Sequence, residues 1–384
     1  MSQLHHHEIL ASFQPLNIVK KVHQVEVTFT NGLTTLAAAH GKTLDSTKCG
    51  MLYGGWRANN TTNYSQLHAK YTLDNTNINL SKVNAAAADV YHCMSIIEFQ
   101  PWACIGKKSV THAISGTGSS SHVTLDPLLG QRGFYIPFWS GHDCGATNQN
   151  QENSSPKVSF IHQDGFDDIH IGFDALATLT NGANVNMDYL FFGGEQLDYD
   201  YPRSPFVVDS AEYWAGSPSI GSLAGASLSA VRNMDFQGAG TSFKKDWTQN
   251  FPLGISNKDF QSAQMYMLMT GDDQYTVARE NAASSTSSAA VFPVLWNPRI
   301  IRHVQRGIGR IDDAANTANI PLVGFTDFNK MAVSHHGVNT NNLFANLYAW
   351  ATTKLTAVDN LRLQRELTGF SIHTDVAYEV VEYW

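Results

Sequence analysis

Apolar Val25, Val27 and Phe29 alternate with polar Gln24, Glu26 and Thr28, a spacing of two that predicts a half-buried β-strand. The Asn31-Gly32 pair that follows is a turn signal. Further strand-like runs lie near 70–80, 109–114, 133–139, 158–162 and 168–173, and the Ala-rich stretch 83–97 is the one segment of the first half that reads as a helix. Residues 141–156 are rich in Asn, Gln and Ser and read as an exposed loop.

The pattern changes in the second half. Stretches 219–234, 259–270, 274–283 and 298–306 read as helices, some interrupted by Gly. The clearest is 341–363, where Leu343, Phe344, Leu347, Tyr348, Trp350, Ala351 and Leu355 recur at intervals of three and four. Lys354, Arg362 and Arg365 near its end suit a helix dipole. The run 282–290 reads as a surface linker, and no internal repeat is evident. The chain closes in period two: Phe370, Ile372, Val376, Tyr378, Val380 and Trp384 on one face, Ser371, His373, Asp375 and Glu379 on the other. That is a strand about twice the usual five or six residues, and it must be internal or covered to avoid acting as an aggregation edge. The expected fold is therefore α+β. A β-rich region, 1–215, is compatible with a jelly-roll-like pairing; a more helical region, 216–384, carries the closing strand. The two could equally form one continuous domain.

Composition changes this picture at one point. With 43% hydrophobic and 11% aromatic residues a packed core is assured, but only 15% of residues are charged, against about 25% in an average domain. Uncharged Asn, Ser, Thr and Gln take the place of charge. Such a surface suits extensive subunit contacts, because an amide is cheaper to bury than a charge. The net charge of -8 argues against coating nucleic acid by bulk electrostatics. The start, MSQLHHHEIL, lacks the apolar core of a signal peptide, and no window approaches the 18 apolar residues of a spanning helix. His5, His6 and His7 read as a solvated tract. Cys49, Cys93, Cys104 and Cys144 form no C-x-x-C pair and read as buried thiols.

A charge-poor, aromatic-rich chain that is β-rich in its first half and closes in FSIHTDVAYEVVEYW resembles viral capsid proteins. The resemblance covers general texture and the last fifteen residues. It implies a structural, self-assembling coat protein whose partners are copies of itself, assembled in the host cytoplasm into a virion, with no catalytic residues and no cofactor.

Candidate chemistry lies in three places. If Asp168, Ile169, His170, Ile171, Gly172, Phe173 and Asp174 form a strand, Asp168, His170 and Asp174 share a face and could hold a divalent metal; the same alternation would also serve a merely polar outer face. Arg299, Arg302, Arg306 and Arg310 would align on a helix with His303 beside them, as a phosphate contact such as a viral genome, or as an ion-paired face helped by Asp312 and Asp313. Acids among Asp164, Asp167, Asp168, Glu195, Asp198 and Asp200 frame the alternative reading, a hydrolase using paired carboxylates on carbohydrate. The His142-Asp143-Cys144 run reads as loop residues, and His335-His336 before Gly337 as a turn with exposed histidines. The run from Gly225 to Ser229 lacks the last Gly of a nucleophile elbow.

Overall fold

The structure, a computed structural model, describes residues 15–58, 66–124, 133–144, 157–164, 168–193, 206–208, 211–215, 221–223, 247–250, 255–256, 266–271, 274–279, 287–296, 300–341, 350–368 and 371–384. The first strands in chain order are β1 (Val19–Phe29), β2 (Thr35–Ala39), β3 (Cys49–Ala58), β4 (Lys70–Leu73), β5 (Asn77–Ser81) and β6 (Val90–Phe99). Next come β7 (Cys104–Thr124), β8 (Gly133–Cys144), β9 (Lys157–Asp164) and β10 (Asp168–Gly193). The middle of the chain holds β11 (Phe206–Val208), β12 (Ala211–Ala215), β13 (Gly221–Leu223), β14 (Trp247–Asn250), β15 (Ile255–Ser256), β16 (Tyr266–Gly271), β17 (Gln274–Arg279) and β18 (Ser287–Trp296). The last strands are β19 (Ile301–Ile311), β20 (Thr317–Pro321), β21 (Met331–Thr340), β22 (Thr352–Ala357), β23 (Asn360–Gln364) and β24 (Thr374–Tyr383).

Among the described residues there is no α-helix, and the strands form a β-sandwich-like set of antiparallel sheets. The expected α+β class with a helical C-terminal half is overturned. The helix expected at 83–97 gives way to β6, which runs between β1 and β3 and is buried on both faces. A strand covered on both sides need not alternate, and the apolar run of β6 does not declare a period. The segments at 259–270, 274–283 and 298–306 contain β16, β17 and the start of β19, and 219–234 contains β13. The strongest helical pattern, 341–363, holds the hairpin β22–β23, turned at Val358 and Asp359, with Ala357 opposite Asn360. Its three- and four-residue spacing came partly from 342–349, outside the described residues, and partly from Trp350 and Ala351, just before β22, and Leu355 within it. The linker expected at 282–290 overlaps β18, and Gly141–Cys144, expected in a loop, ends β8.

One strand order occurs three times. The sheets read β1-β6-β3-β22-β23-β20, β7-β10-β8-β4-β5-β2 and β19-β24-β21-β16-β17-β13, with β9 added beside β10 in the second. In each, a central strand (β6, β10 or β24) lies between two long ones, and a three-strand unit from another part of the chain completes the sheet. The first repeat lends β4, β5 and β2 to the second sheet, the last lends β22, β23 and β20 to the first, and the middle lends β16, β17 and β13 to the third. Strands from both sides of residue 215 thus share sheets. A fourth sheet gathers β11, β12, β14 and β15 on β18.

Local sequence supports the repeat where geometry demands it. The 3-10 turns Ser46–Lys48 and Phe328–Lys330 precede β3 and β21, each capped by an aspartate, Asp45 or Asp327, that accepts from the backbone N–H two residues on. Met94, Met187 and Tyr378 occupy the same register position on the three central strands, opposite Tyr53, Trp139 and His335. Counting on from them, one core cluster gathers Ile97, Leu190 and Val381, and Phe99, Phe192 and Tyr383. Phe99 and Phe192 meet edge-on at 4.8 Å. Burial of such rings supplies on the order of 2 kcal/mol each. The closing strand is present as β24, with all ten residues buried.

Candidate functional site

The repeats meet where β3, β8 and β21 each bulge at a glycine of positive φ: Gly55 (91°), Gly141 (85°) and Gly337 (107°). Each glycine pairs with the borrowed strand of its sheet: Gly55 with Thr352, Gly141 with Lys70, Gly337 with Tyr266. Side-chain atoms do not fit at the first two of these crossings. A Cβ on Gly55 would sit 2.4 Å from the Ala351 carbonyl oxygen, and one on Gly141 would sit 2.1 Å from that of Ala69. Glycine is required for both the backbone conformation and the close approach.

Two residues before each glycine stand Tyr53, Trp139 and His335. Tyr53 meets Trp139 at 5.2 Å and His335 at 6.2 Å between ring centroids, both edge-on. One residue after the glycine, Trp56 packs on Trp350 at 3.8 Å, while His142 stacks on His68 at 4.2 Å. Trp350 and His68 hold matching positions, two residues before β22 and β4. Two residues after the glycine, Arg57 reaches Glu366 (2.5 Å), Glu26 (3.0 Å) and the Thr352 hydroxyl (2.9 Å), and Asp143 pairs with Lys70 at 2.7 Å. Arg57 also lies over the Tyr91 ring.

Burial sets the protonation of this centre. It pushes His142 and His335 down to about 4, His92 to about 3, and His68 well below its usual value, the neighbouring His142 adding to the effect on His68. Burial works to raise Glu26, but hydrogen bonds and charge from Arg57 and Lys354 hold it below the ordinary value. Burial pushes the thiols of Cys49, Cys93 and Cys104 up to about 12, so none is an activated nucleophile. These three are buried and free, as their spacing suggested. Contrary to expectation, His335 and His336 are buried within β21, and His142 and Asp143 within β8.

The arginine stripe lies on a strand, not a helix. Arg302, Arg306 and Arg310 are spaced by four, which keeps one face in either geometry, so spacing alone could not decide. Gly307 and Gly309 weigh against a helix. Arg310 pairs with both oxygens of Asp375 (2.7 and 2.8 Å) and Arg306 with fully buried Glu379. Arg302 lies 3.6 Å from Glu382 and over the Trp384 ring. Asp312 and Asp313 contribute instead through backbone carbonyls, which accept from Arg365. Arg299 is outside the described residues.

The expected metal-ligand residues all fall on β10. Asp168 is opposite Asp164 of β9 and Thr124 of β7; His170 is opposite His162 and His122; Asp174 is opposite Lys157 and Gly118. Asp167, Glu195, Asp198, Asp200 and Gly225 to Ser229 lie outside the described residues. Among the residues whose side chains are described, no three His, Cys, Asp or Glu groups converge as a metal site. No helix among them is long and apolar enough to cross a membrane. No known protein-family model matches this chain, and no curated protein is recognisably similar to it.

The sequence reading passed over the glycine-centred crossings. The signal was there as a recurrence: Tyr53-Gly54-Gly55-Trp56, Trp139-Ser140-Gly141-His142 and His335-His336-Gly337-Val338 each place a ring two residues before the glycine.

Proposed function

We propose that this chain is a structural, self-assembling subunit of a viral protein shell, whose partners are copies of itself. The observation that carries the reading is the cyclic exchange of strands, in which three sheets of one design are each completed by a unit from another repeat. Homologous subunits commonly lock together in this way, and here the lock is covalent, within one chain. A chain that carries three sheets of one design suits the tiling of a closed, symmetric assembly. A surface with 15% charged residues supports the same purpose. The outer strands β2 and β20 sit at matching sheet ends, and both have exposed residues at alternate positions. The sequence of β2, TLAAA, carries no charge to discourage pairing with another chain. In this reading the protein is assembled in the host cytoplasm and works in the virion. A genome contact through Arg302, Arg306 and Arg310 would have to displace Glu382, Glu379 and Asp375, so the stripe is given a stabilising role instead.

Native mass measurement combined with electron microscopy of the purified chain tests this. Closed particles or regular multimers are expected. A monomer whose mass is independent of concentration up to the millimolar range overturns the reading.

A further inference from the structure

The matching edge strands β2 and β20 differ in how open they are. On β2 the N–H of Lys82 donates to the Thr34 carbonyl, and the N–H of His40 donates to the Thr76 carbonyl. Backbone direction alternates along an antiparallel strand, so Leu36 and Ala38 also turn their polar groups toward β5. Thr35, Ala37 and Ala39 turn theirs to the far side, where no described strand pairs with them. The same alternation on β20 sends the groups of Thr317, Asn319 and Pro321 outward. That edge is guarded, because Pro321 has no N–H and its carbonyl accepts from the Gln305 side chain. The β2 sequence, TLAAA, has neither proline nor charge.

We propose that β2 pairs antiparallel with β2 of a second copy of this chain, across a twofold axis at Ala37. The inference rests on the shell reading and names one contact within it. The axis sets Ala37 against itself and Thr35 against Ala39, and the outward groups then form about six main-chain hydrogen bonds. The surroundings complement themselves in the same register. Leu33 and Val83 lie opposite each other just beyond the β2–β5 pairing, and they are two of the four large apolar side chains exposed among the described residues. The axis sets Leu33 opposite Gly41 of the second copy, where even an added Cβ would meet nothing within 4 Å. An exposed leucine thus meets open space. The axis also carries Lys42 toward Asn31 of the second copy, whose N–H donates to Asp89. A cation therefore approaches a carboxylate twice in each pair, which favours this partner over an unrelated strand. One five-residue strand pair falls short of the roughly 1,000 Å2 that a lone stable dimer needs. Repetition around a shell supplies the difference.

Disulfide trapping of the full chain under assembly conditions tests the contact. Residues opposite one another in a hydrogen-bonded pair lie about 5.5 Å apart between Cα atoms, within disulfide range. On mild oxidation Ala37→Cys should link at least about half of the chains into dimers, against less than about a tenth for the parent and for Asn319→Cys on β20. Thr35→Cys mixed with Ala39→Cys should link at least about tenfold more than either variant alone, which checks the register independently. If multimers form but Ala37→Cys links no better than Asn319→Cys, the pairing is overturned and the shell reading stands. Preferential linking of Ala37→Cys to Asn319→Cys in a mixture overturns it in favour of a β2–β20 contact. A chain that is monomeric at every concentration overturns the shell reading and this contact with it.

Discussion

Two of the glycine crossings share a backbone design and differ in chemistry. At the first, β22 meets β3: Trp56 packs on Trp350, and Arg57 ties Glu26 of its own repeat to Glu366 of another, with Lys354 3.3 Å from Glu26. At the second, β4 meets β8: His142 stacks on His68, Asp143 pairs with Lys70, and Asn186 donates to the Tyr71 carbonyl. The first junction is sealed by large indoles and clamped by a guanidinium. The second is sealed by two neutral imidazoles that must stay uncharged to remain buried. A repeated fold can thus keep its geometry while building one joint on stacked indoles and the other on stacked imidazoles.

The largest effect is expected from Trp56→Ala, which empties the indole seal and should cost about 4 kcal/mol in a denaturant titration. A loss under 1 kcal/mol would mean the two tryptophans are not a seal. Next comes Gly141→Ala, expected to cost about 3 kcal/mol through positive φ and the clash with the Ala69 carbonyl; exposed Gly41, also at positive φ but with open space around it, should cost about 1 kcal/mol for the same change. Equal losses at the two positions would remove the close approach from the account.

Acid should separate the junctions. His142 titrates near 6.5 when unfolded and at about 4 when folded, so the unfolded chain takes up the proton first. Its stabilising neutrality is fully present above 6.5 and is lost as pH falls towards 4. His92, with Lys82 near it, and His68 add in the same direction. Glu26 is held below 4.5 by Arg57 and Lys354, so the clamp at the other junction weakens only below that pH. Between pH 7.5 and 5, replacing His142 by Phe should reduce the loss of stability by about 2 kcal/mol. Identical pH profiles for His142→Phe and the parent would show that this stack does not govern acid sensitivity. The smallest change in folding is expected from Ala37→Lys on the exposed β2 edge, within about 0.5 kcal/mol. Its effect should appear in native mass, as a shift towards smaller species; an unchanged distribution would exclude β2 from subunit contacts.

Strands with one apolar and one polar face announced themselves. The alternation before Asn31-Gly32 and in the closing segment led to β1 and β24, and the runs near 70–80 and 168–173 led to β4, β5 and β10. A strand without a consistent polar face, or one turned within a few residues, did not: β6 lacks such a face, and the β22–β23 hairpin packs its turn into two residues. The expected metal-ligand residues showed how far one strand can be read: Asp168 and His170 were visible two apart, but that β9 lies opposite them on one side and β7 on the other came only from the pairing. The arginine stripe was legible as a stripe, while its partners Asp375, Glu379 and Glu382 stood on the neighbouring strand.

By itself the sequence determined what each residue could do: a charge-poor surface, a large aromatic core, thiols with no pairing motif, and a chain end that alternates. Those properties are local, set by side-chain chemistry and a period of two. Only the tertiary structure decided that the chain repeats its strand order, that glycines mark the crossings, and that histidines seal one joint where tryptophans seal another. Antiparallel pairing brings together residues hundreds of positions apart, and backbone hydrogen bonds form with almost any side chain, so nearly unrelated sequences can build one sheet three times.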